Sequence, residues 1–169
     1  MIAIDGSPTG TGRTASALRA VAGCDPLSLT EVGLEDAVEA IDRADAVVLG
    51  SPVYRASYAH PLKELLDGLP RGMWGETRAP LRGKAVAILA TGASLHHFLA
   101  MSDLRNVLAG FFAAHVLPPG LYVPRAGFGD DLELLDPYAE QARSQGLALV
   151  ELADALARST ALRQLVPQA

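Results

Sequence analysis

The sequence predicts an α/β protein whose parallel sheet is covered by helices on both faces. Three observations carry this expectation. Strand-like apolar runs alternate with helical stretches instead of falling into blocks of either kind. The first run, "MIAID", is short and apolar and breaks at Gly-Ser-Pro, as a buried strand does on entering a turn. Leu34 to Arg43 carries apolar residues at Leu34, Ala37, Val38 and Ile41, the spacing of a helix with one buried stripe.

Each element follows in turn. After "MIAID", Thr14 to Val21 reads as helix, with Gly23 beyond its end. "PLSLT" is a weak second strand, followed by the Leu34–Arg43 helix. "DAVVLGSPVY" is the strongest strand pattern and leads into a helix from about Tyr58 to Leu69. "KAVAILATG" is the fourth strand, and Leu95 to Ala114 is mostly helical. "HVLPPGLYV" is a fifth strand interrupted by Pro118 and Pro119, and Leu132 to Leu165 forms one or two helices. Linkers, repeats and low-complexity blocks are absent from the pattern, so the expected organisation is one domain over residues 1–169. Five strands in this alternation give an open, doubly wound sheet of the flavodoxin-like kind, order 2-1-3-4-5, with ligands outside the C-terminal strand ends where strand order reverses.

Composition removes several classes of function. Half the residues are hydrophobic and 20% are charged, a balance that argues against disorder. A formal charge of −5 without a basic run argues against nucleic-acid binding, so an anion would have to be held locally. Cys24 is the single cysteine, which excludes an internal disulfide framework and a multi-cysteine metal site and fits a reducing cytoplasm. His60, His96 and His115 show no metal-ligand grouping, and no metal is expected. No apolar run reaches the roughly 18 residues of a membrane span, and "MIAID" lacks the charged start of a signal peptide. A cytosolic protein without a membrane partner is expected.

Three unusual turns fall at the predicted ligand edge. In "DGSPTGTGRTASAL", Gly10 and Gly12 allow close backbone approach, Ser7, Thr9, Thr11 and Thr14 offer hydroxyls, and Arg13 can fork onto phosphate oxygens at a helix start. The alternative is an exposed loop whose hydroxyls only cap the helix. Neither a Walker A lysine nor a G-x-G-x-x-G arrangement follows strand one. In "GSPVYRASY", Pro52 fixes the chain direction, Tyr54 supplies an aromatic surface, and Arg55 and Ser57 are rim polar groups, although Ser57 taken alone reads better as the N-cap of the next helix. "ATGASLHH" is a second small donor-rich turn, Thr91, Gly92, Ala93 and Ser94, with His97 beyond it.

Four pieces in order resemble one family: "GSP" followed by "RT", "GSPVYRASYAHPLKELLDGLP", "LRGKAVAILATGAS" with His97, and "VLPPGLYV". They look like the NAD(P)H-dependent FMN reductases of the flavodoxin-like superfamily, especially those supplying reduced flavin to alkanesulfonate-type two-component monooxygenases. The similarity runs from about Ile2 through Val123. It implies that Ser7, Arg13 and Thr14, with Thr11 and Gly12 nearby, hold the FMN phosphate. Pro52, Val53 and Tyr54 would lie against the isoalloxazine and ribityl side, with Arg55 and Ser57 near a dimer edge, and Thr91 to Ser94 would face the pyrimidine edge. NADPH or NADH would be the hydride donor, backbone N–H groups of Gly92, Ala93 and Ser94 would stabilise the reduced flavin, and no side chain need act as acid or base. Arg55 is the candidate contact for the nicotinamide nucleotide's phosphates. A homodimer or tetramer is implied, with "PLKELLDGLPRGMW" and Trp74 offering an apolar surface, and a flavin-dependent monooxygenase is the implied partner.

Two positions depart from the family pattern. Gly12 stands where relatives commonly have serine, leaving Thr9 or Thr11 to supply that hydroxyl. Ala93 stands where relatives commonly have a second glycine, and is strained if the position needs φ > 0. "MSDLRNVLAG" is also one residue shorter than in sulfonate-linked members, some of which bulge this helix, so an ordinary helix is expected here. Competing readings are a quinone or azo reductase with tightly bound FMN, a flavodoxin-like electron carrier, and a flavin-free binding module.

Overall fold

The computed structural model describes residues 1–168. The elements run β1 (Ile2–Asp5), α1 (Arg13–Ala22), β2 (Leu27–Ser28), α2 (Leu34–Arg43), β3 (Ala46–Tyr54), β4 (Ser57–Tyr58), α3 (His60–Gly68), β5 (Ala85–Gly92), α4 (Met101–Asn106), β6 (His115–Val116), β7 (Leu121–Pro124), α5 (Tyr138–Ala157) and α6 (Thr160–Arg163). A 3-10 turn, Leu95–Ala100, precedes α4, and a π-helical turn, Val107–Phe111, follows it.

The sheet is seven-stranded with parallel order β2-β1-β3-β5-β6, β4 pairing antiparallel with β3, and β7 pairing parallel with β5. The expected five-stranded 2-1-3-4-5 sheet is corrected at two places, although strands flank one another in the doubly wound sense. Cis Pro118–Pro119 breaks the last strand into β6 and β7, because neither proline can donate to a ladder. β4 is the return arm of a two-residue hairpin on β3, a feature that the strand-to-helix reading of "YRASY" leaves out.

The centre of the sheet is β3 against β5, in register from Ala46↔Ala85 to Pro52↔Thr91. Their residues alternate between two cores, as strands buried on both faces must. Val47, Leu49, Val86 and Ile88 face the side covered by α2, α3 and α4. Ala46, Val48, Ala87 and Leu89 face α1 and α5. Helix α1 buries Thr14, Ala15, Ala17, Leu18 and Val21 and ends at Gly23, whose left-handed conformation lets its N–H reach Arg19 O at 2.8 Å.

Three further expectations change. Leu62, Leu65, Leu66 and Leu69 point into the core, so "PLKELLDGLPRGMW" keeps only Trp74 as a large exposed apolar side chain, at 80% exposure. Leu132 to Pro137 is not helical and carries a bridge between Leu134 and Phe128; the long C-terminal helix begins at Tyr138 after the cis Asp136–Pro137 bond. The helix after the third turn is not ordinary: it widens into the π turn, where Phe112 N–H reaches Val107 O at 3.2 Å. The wider turn buries Leu108 and Phe112 together while Phe111 stays half-exposed, edge-on to Phe112 at 5.5 Å. The Arg71 guanidinium lies over the Phe111 ring at 3.5 Å and near Trp74 at 4.9 Å. Among the described residues no helix is long and apolar enough to cross a membrane.

Candidate functional site

The first turn is organised from beneath by Asp5, the last residue of β1 and completely buried. Its Oδ1 accepts from the Ser7 N–H at 2.8 Å and its Oδ2 from the Ser7 hydroxyl at 3.2 Å. Ser7 Oγ in turn accepts from the Gly10 N–H at 3.1 Å. Burial pushes the Asp5 carboxyl above the ordinary carboxylate range, opposed by the two hydrogen bonds from Ser7.

The missing hydroxyl at position 12 has a backbone cause. Gly12 is the N-cap of α1 with φ +135°, a conformation that a serine would adopt only under strain. A Cβ there would meet nothing within 4 Å, so the position opens onto free space. No side chain caps the helix, whose first bond is Ser16 N–H to Gly12 O at 2.9 Å. The amides of its first turn therefore lack an intrahelical acceptor. Of the two threonines expected to compensate, Thr9 spends its hydroxyl hydrogen on Thr11 O at 3.0 Å. Thr11 is exposed, and among the described residues its hydroxyl has no hydrogen-bond partner. Arg13 is exposed and, among the described residues, enters no ion pair.

The second turn is a hairpin. Val53 pairs with Tyr58 and Tyr54 with Ser57, leaving Arg55 (φ +52°) and Ala56 (φ +64°) as two left-handed residues at its tip. Ser57 is thus a strand residue, and the N-cap of α3 is Ala59, whose N–H donates to Ser51 Oγ at 2.8 Å. The capping alternative for Ser57 is corrected: the hairpin returns the chain before the helix starts.

The third turn leaves β5 at Gly92. A Cβ on Gly92 would lie 2.1 Å from the Tyr122 hydroxyl oxygen, so any larger residue would have to displace that hydroxyl. That hydroxyl donates to Ser94 O at 2.6 Å and ties the turn to β7; burial pushes its pKa up. Ala93 lies outside the left-handed region, and the strain expected there does not arise. His97 is exposed on the 3-10 turn, with its N–H 3.5 Å from Ser94 O. The first and third turns meet at the buried pair Thr14 Oγ1 and Thr91 Oγ1, 2.9 Å apart.

Nine of the sequence-predicted residues share one open cleft of about 220 Å³: Ser7, Thr9, Thr11, Gly12, Arg13, Thr14, Pro52, Tyr54 and Thr91, joined by Leu132. Val53, Arg55, Ser57, Gly92, Ala93, Ser94 and His97 are not in its lining. They belong to the hairpin and to the third turn, which adjoin Pro52 and Thr91, the last pair of the β3–β5 register. Sequence reasoning missed Leu132, brought over the first turn by Ser16 Oγ donating to its carbonyl at 2.6 Å, and the anchors Asp5 and Tyr122. Asp5 had one local signal, an acid closing an apolar strand; Leu132 and Tyr122 arrive from over 100 residues away in sequence from the first turn.

Chemically, the cleft offers an anion a guanidinium unpaired among the described residues, uncapped helix amides and hydroxyls, and offers a planar ring the half-exposed Tyr54 side chain. A family profile described as NADPH-dependent FMN reductase matches residues 28–127. The chain belongs to this family. The matched FMN reductase region contains the second and third turns and begins after the first. The chain is 36% identical over 125 residues to the NADH-dependent FMN reductase SfnF of Pseudomonas putida, covering 74% of this chain and 63% of that protein. It is 36% identical over 104 residues to the FMN reductase (NADPH) of Escherichia coli K12, covering 61% of this chain and 47% of that protein. The chain thus spans from about half to three fifths of the length of these two family members. Among solved structures, an apo NADH:FMN oxidoreductase (EMOB) matches with a TM-score of 0.71 and 27% identity, covering 97% of this chain and 93% of the other. An archaeal flavodoxin matches at a TM-score of 0.61 and 17% identity over 91% of this chain and 99% of the other, a likeness of fold.

Proposed function

We propose that the chain is a single flavodoxin-like domain that binds FMN and reduces it with NADH or NADPH, an NAD(P)H-dependent FMN reductase of the cytoplasm. The observation that carries this reading is the cleft in which Arg13, the uncapped start of α1, Pro52, Tyr54 and Thr91 come together. Family membership supports it. The donor set fits a phosphomonoester: the Arg13 guanidinium and the Thr11 hydroxyl, neither with a partner among the described residues, helix amides without intrahelical acceptors, and open space above Gly12.

In this reading Ser7, Thr9, Thr11, Gly12, Arg13 and Thr14 hold the phosphate, and Pro52, Val53 and Tyr54 lie along the ring. Thr91, Gly92, Ala93 and Ser94 face the pyrimidine edge, where backbone N–H groups stabilise negative charge. FMN, when bound, supplies the hydride-accepting chemistry. The protein's own share is alignment: the β3–β5 register fixes the distance between the second and third turns, and Tyr122 keeps Ser94 from swinging away. Arg55, at the hairpin tip, and Ser57 and His97 stand at the rim, where a nicotinamide nucleotide or a second subunit would approach. A homodimer, and a flavin-dependent monooxygenase receiving the reduced flavin, complete the reading, supported by the resemblance to flavin reductases of two-component systems.

The test is anaerobic oxidation of NADH and NADPH in the presence of FMN, followed by ultrafiltration. Oxidation above the uncatalysed rate is expected, with reduced flavin in the filtrate. Retention of all flavin by the protein would favour the bound-FMN quinone or azo reductase instead, and no oxidation with either nucleotide would sink the proposal.

A further inference from the structure

Beneath the first turn lies an ionisable group for which the reading above has no use. Asp5 is completely buried, and both carboxylate oxygens are turned onto one residue, Ser7. The Ser7 hydroxyl has a single hydrogen and two lone pairs. In the structure the hydrogen goes to Asp5 Oδ2, and one lone pair accepts from Gly10 N–H. Ser7 then presents the cleft with a lone pair only, which repels a phosphate oxygen. A residue whose type suggests a phosphate donor is held in the opposite polarity by the acid below it.

We propose that Asp5 makes the hold on the flavin phosphate proton-coupled and releasable, through the polarity of the Ser7 hydroxyl. This rests on the first turn being the phosphate site. While Asp5 is ionised, it keeps the Ser7 hydrogen. When the phosphate dianion enters, Asp5 takes one proton from solvent and donates it in a hydrogen bond to Ser7 Oγ. Ser7 then accepts from both Asp5 and Gly10 and turns its own hydrogen to the phosphate; no covalent bond other than that O–H forms, and every group is satisfied. On release the proton returns to solvent. At neutral pH the cost of that proton weakens the grip, so flavin leaves readily, as a substrate must.

The surroundings make Asp5 the group that titrates. Ser28 opposes it on β2 and Gly50 on β3, neither ionisable. The buried faces of α1 (Thr14, Ala15, Ala17, Leu18, Val21) and α5 (Ala142, Gly146, Leu149, Leu156) carry no acid or base, nor do those of α2 and α3. Arg13 and Tyr54 are the ionisable side chains of the cleft itself. Burial already raises the Asp5 pKa with no charged side chain among its causes, and a dianion above it would raise it further.

The experiment is calorimetric titration of FMN and of riboflavin into the full chain in buffers of different ionisation enthalpy, at about pH 8, where the phosphate is a dianion. About one proton should be taken up per FMN and none per riboflavin, and infrared difference spectra should gain a protonated-carboxyl band on FMN binding. In Asp5→Asn the amide donates permanently to Ser7 Oγ. That variant should bind FMN roughly tenfold more tightly or better at this pH, the worth of a hydrogen bond to a charged group, with no carboxyl band. Its affinity should converge with the wild type's as pH falls. FMN binding without the carboxyl band, or weaker FMN binding by a folded Asp5→Asn variant, overturns the inference and leaves the reductase reading standing. If Asp5→Asn does not fold, presence or absence of the wild-type carboxyl band decides alone. Failure of the wild type to bind FMN at all overturns both.

Discussion

Arg13 and Gly12 stand side by side and do different work. Arg13 brings a charge that no other described residue neutralises, so Arg13→Ala should weaken FMN binding by about 1.5–3 kcal/mol, the range for a charge-assisted hydrogen bond. Equilibrium titration of flavin fluorescence measures this, and an unchanged affinity removes Arg13 from the phosphate site. Gly12 carries a conformation: there is room for a side chain, but at φ +135° an L residue is strained, so Gly12→Ser should lower affinity instead of restoring a donor, because the backbone must leave this conformation to relieve the strain. Asp5 bears on stability as well as binding. Its folded-state pKa is raised from 3.8, so what it contributes to the fold is present below that value and is lost as pH rises through the raised one. Asp5→Asn should therefore melt higher than the wild type at neutral pH, the gap closing on acidification; a constant gap would refute this. These residues were legible in "DGSPTGTGRT" as types, but their hydrogen-bond directions were not, since direction depends on Asp5 and on a φ value that no spacing encodes.

Elements show where local pattern suffices and where it does not. Leu34–Arg43 is recovered to the residue because its apolar stripe is read by one partner face. The β3–β4 hairpin was invisible because type I′ tips favour Asn-Gly, and here Arg55 and Ala56 occupy both left-handed positions. Such a tip stores strain of about 1–3 kcal/mol per residue, held by the Val53–Tyr58 and Tyr54–Ser57 pairs. Ala56→Gly should raise stability to urea by up to about 1 kcal/mol. If it also slows nucleotide oxidation, the strained tip positions Arg55; if turnover is unchanged, the strain is structural. The π turn escaped prediction for a different reason: joint burial of Leu108 and Phe112 is a tertiary demand.

For the whole molecule, alternation of strands and helices was enough to give the doubly wound order around β1 and β3, while contacts across the sheet had to be seen. Lys84 is an example. Its ammonium donates to the carbonyls of Ile41, Asp42 and Ala44, closing the C-terminal end of α2 against the start of β5, while burial lowers its pKa. Lys84→Met should cost about 1–3 kcal/mol in urea unfolding with FMN affinity unaltered, since it sits at the opposite sheet edge from the cleft. The Thr14–Thr91 pair joins residues 77 apart in sequence, and either hydroxyl can donate. The contact is therefore reversible in sense. With Thr14 as donor, Thr91 keeps a hydrogen for whatever lies at the third turn; with Thr91 as donor, the first turn keeps it. Whatever occupies one turn thus chooses what the other has to offer, and a bound molecule spanning both would set its own two ends in a single orientation through one shared proton.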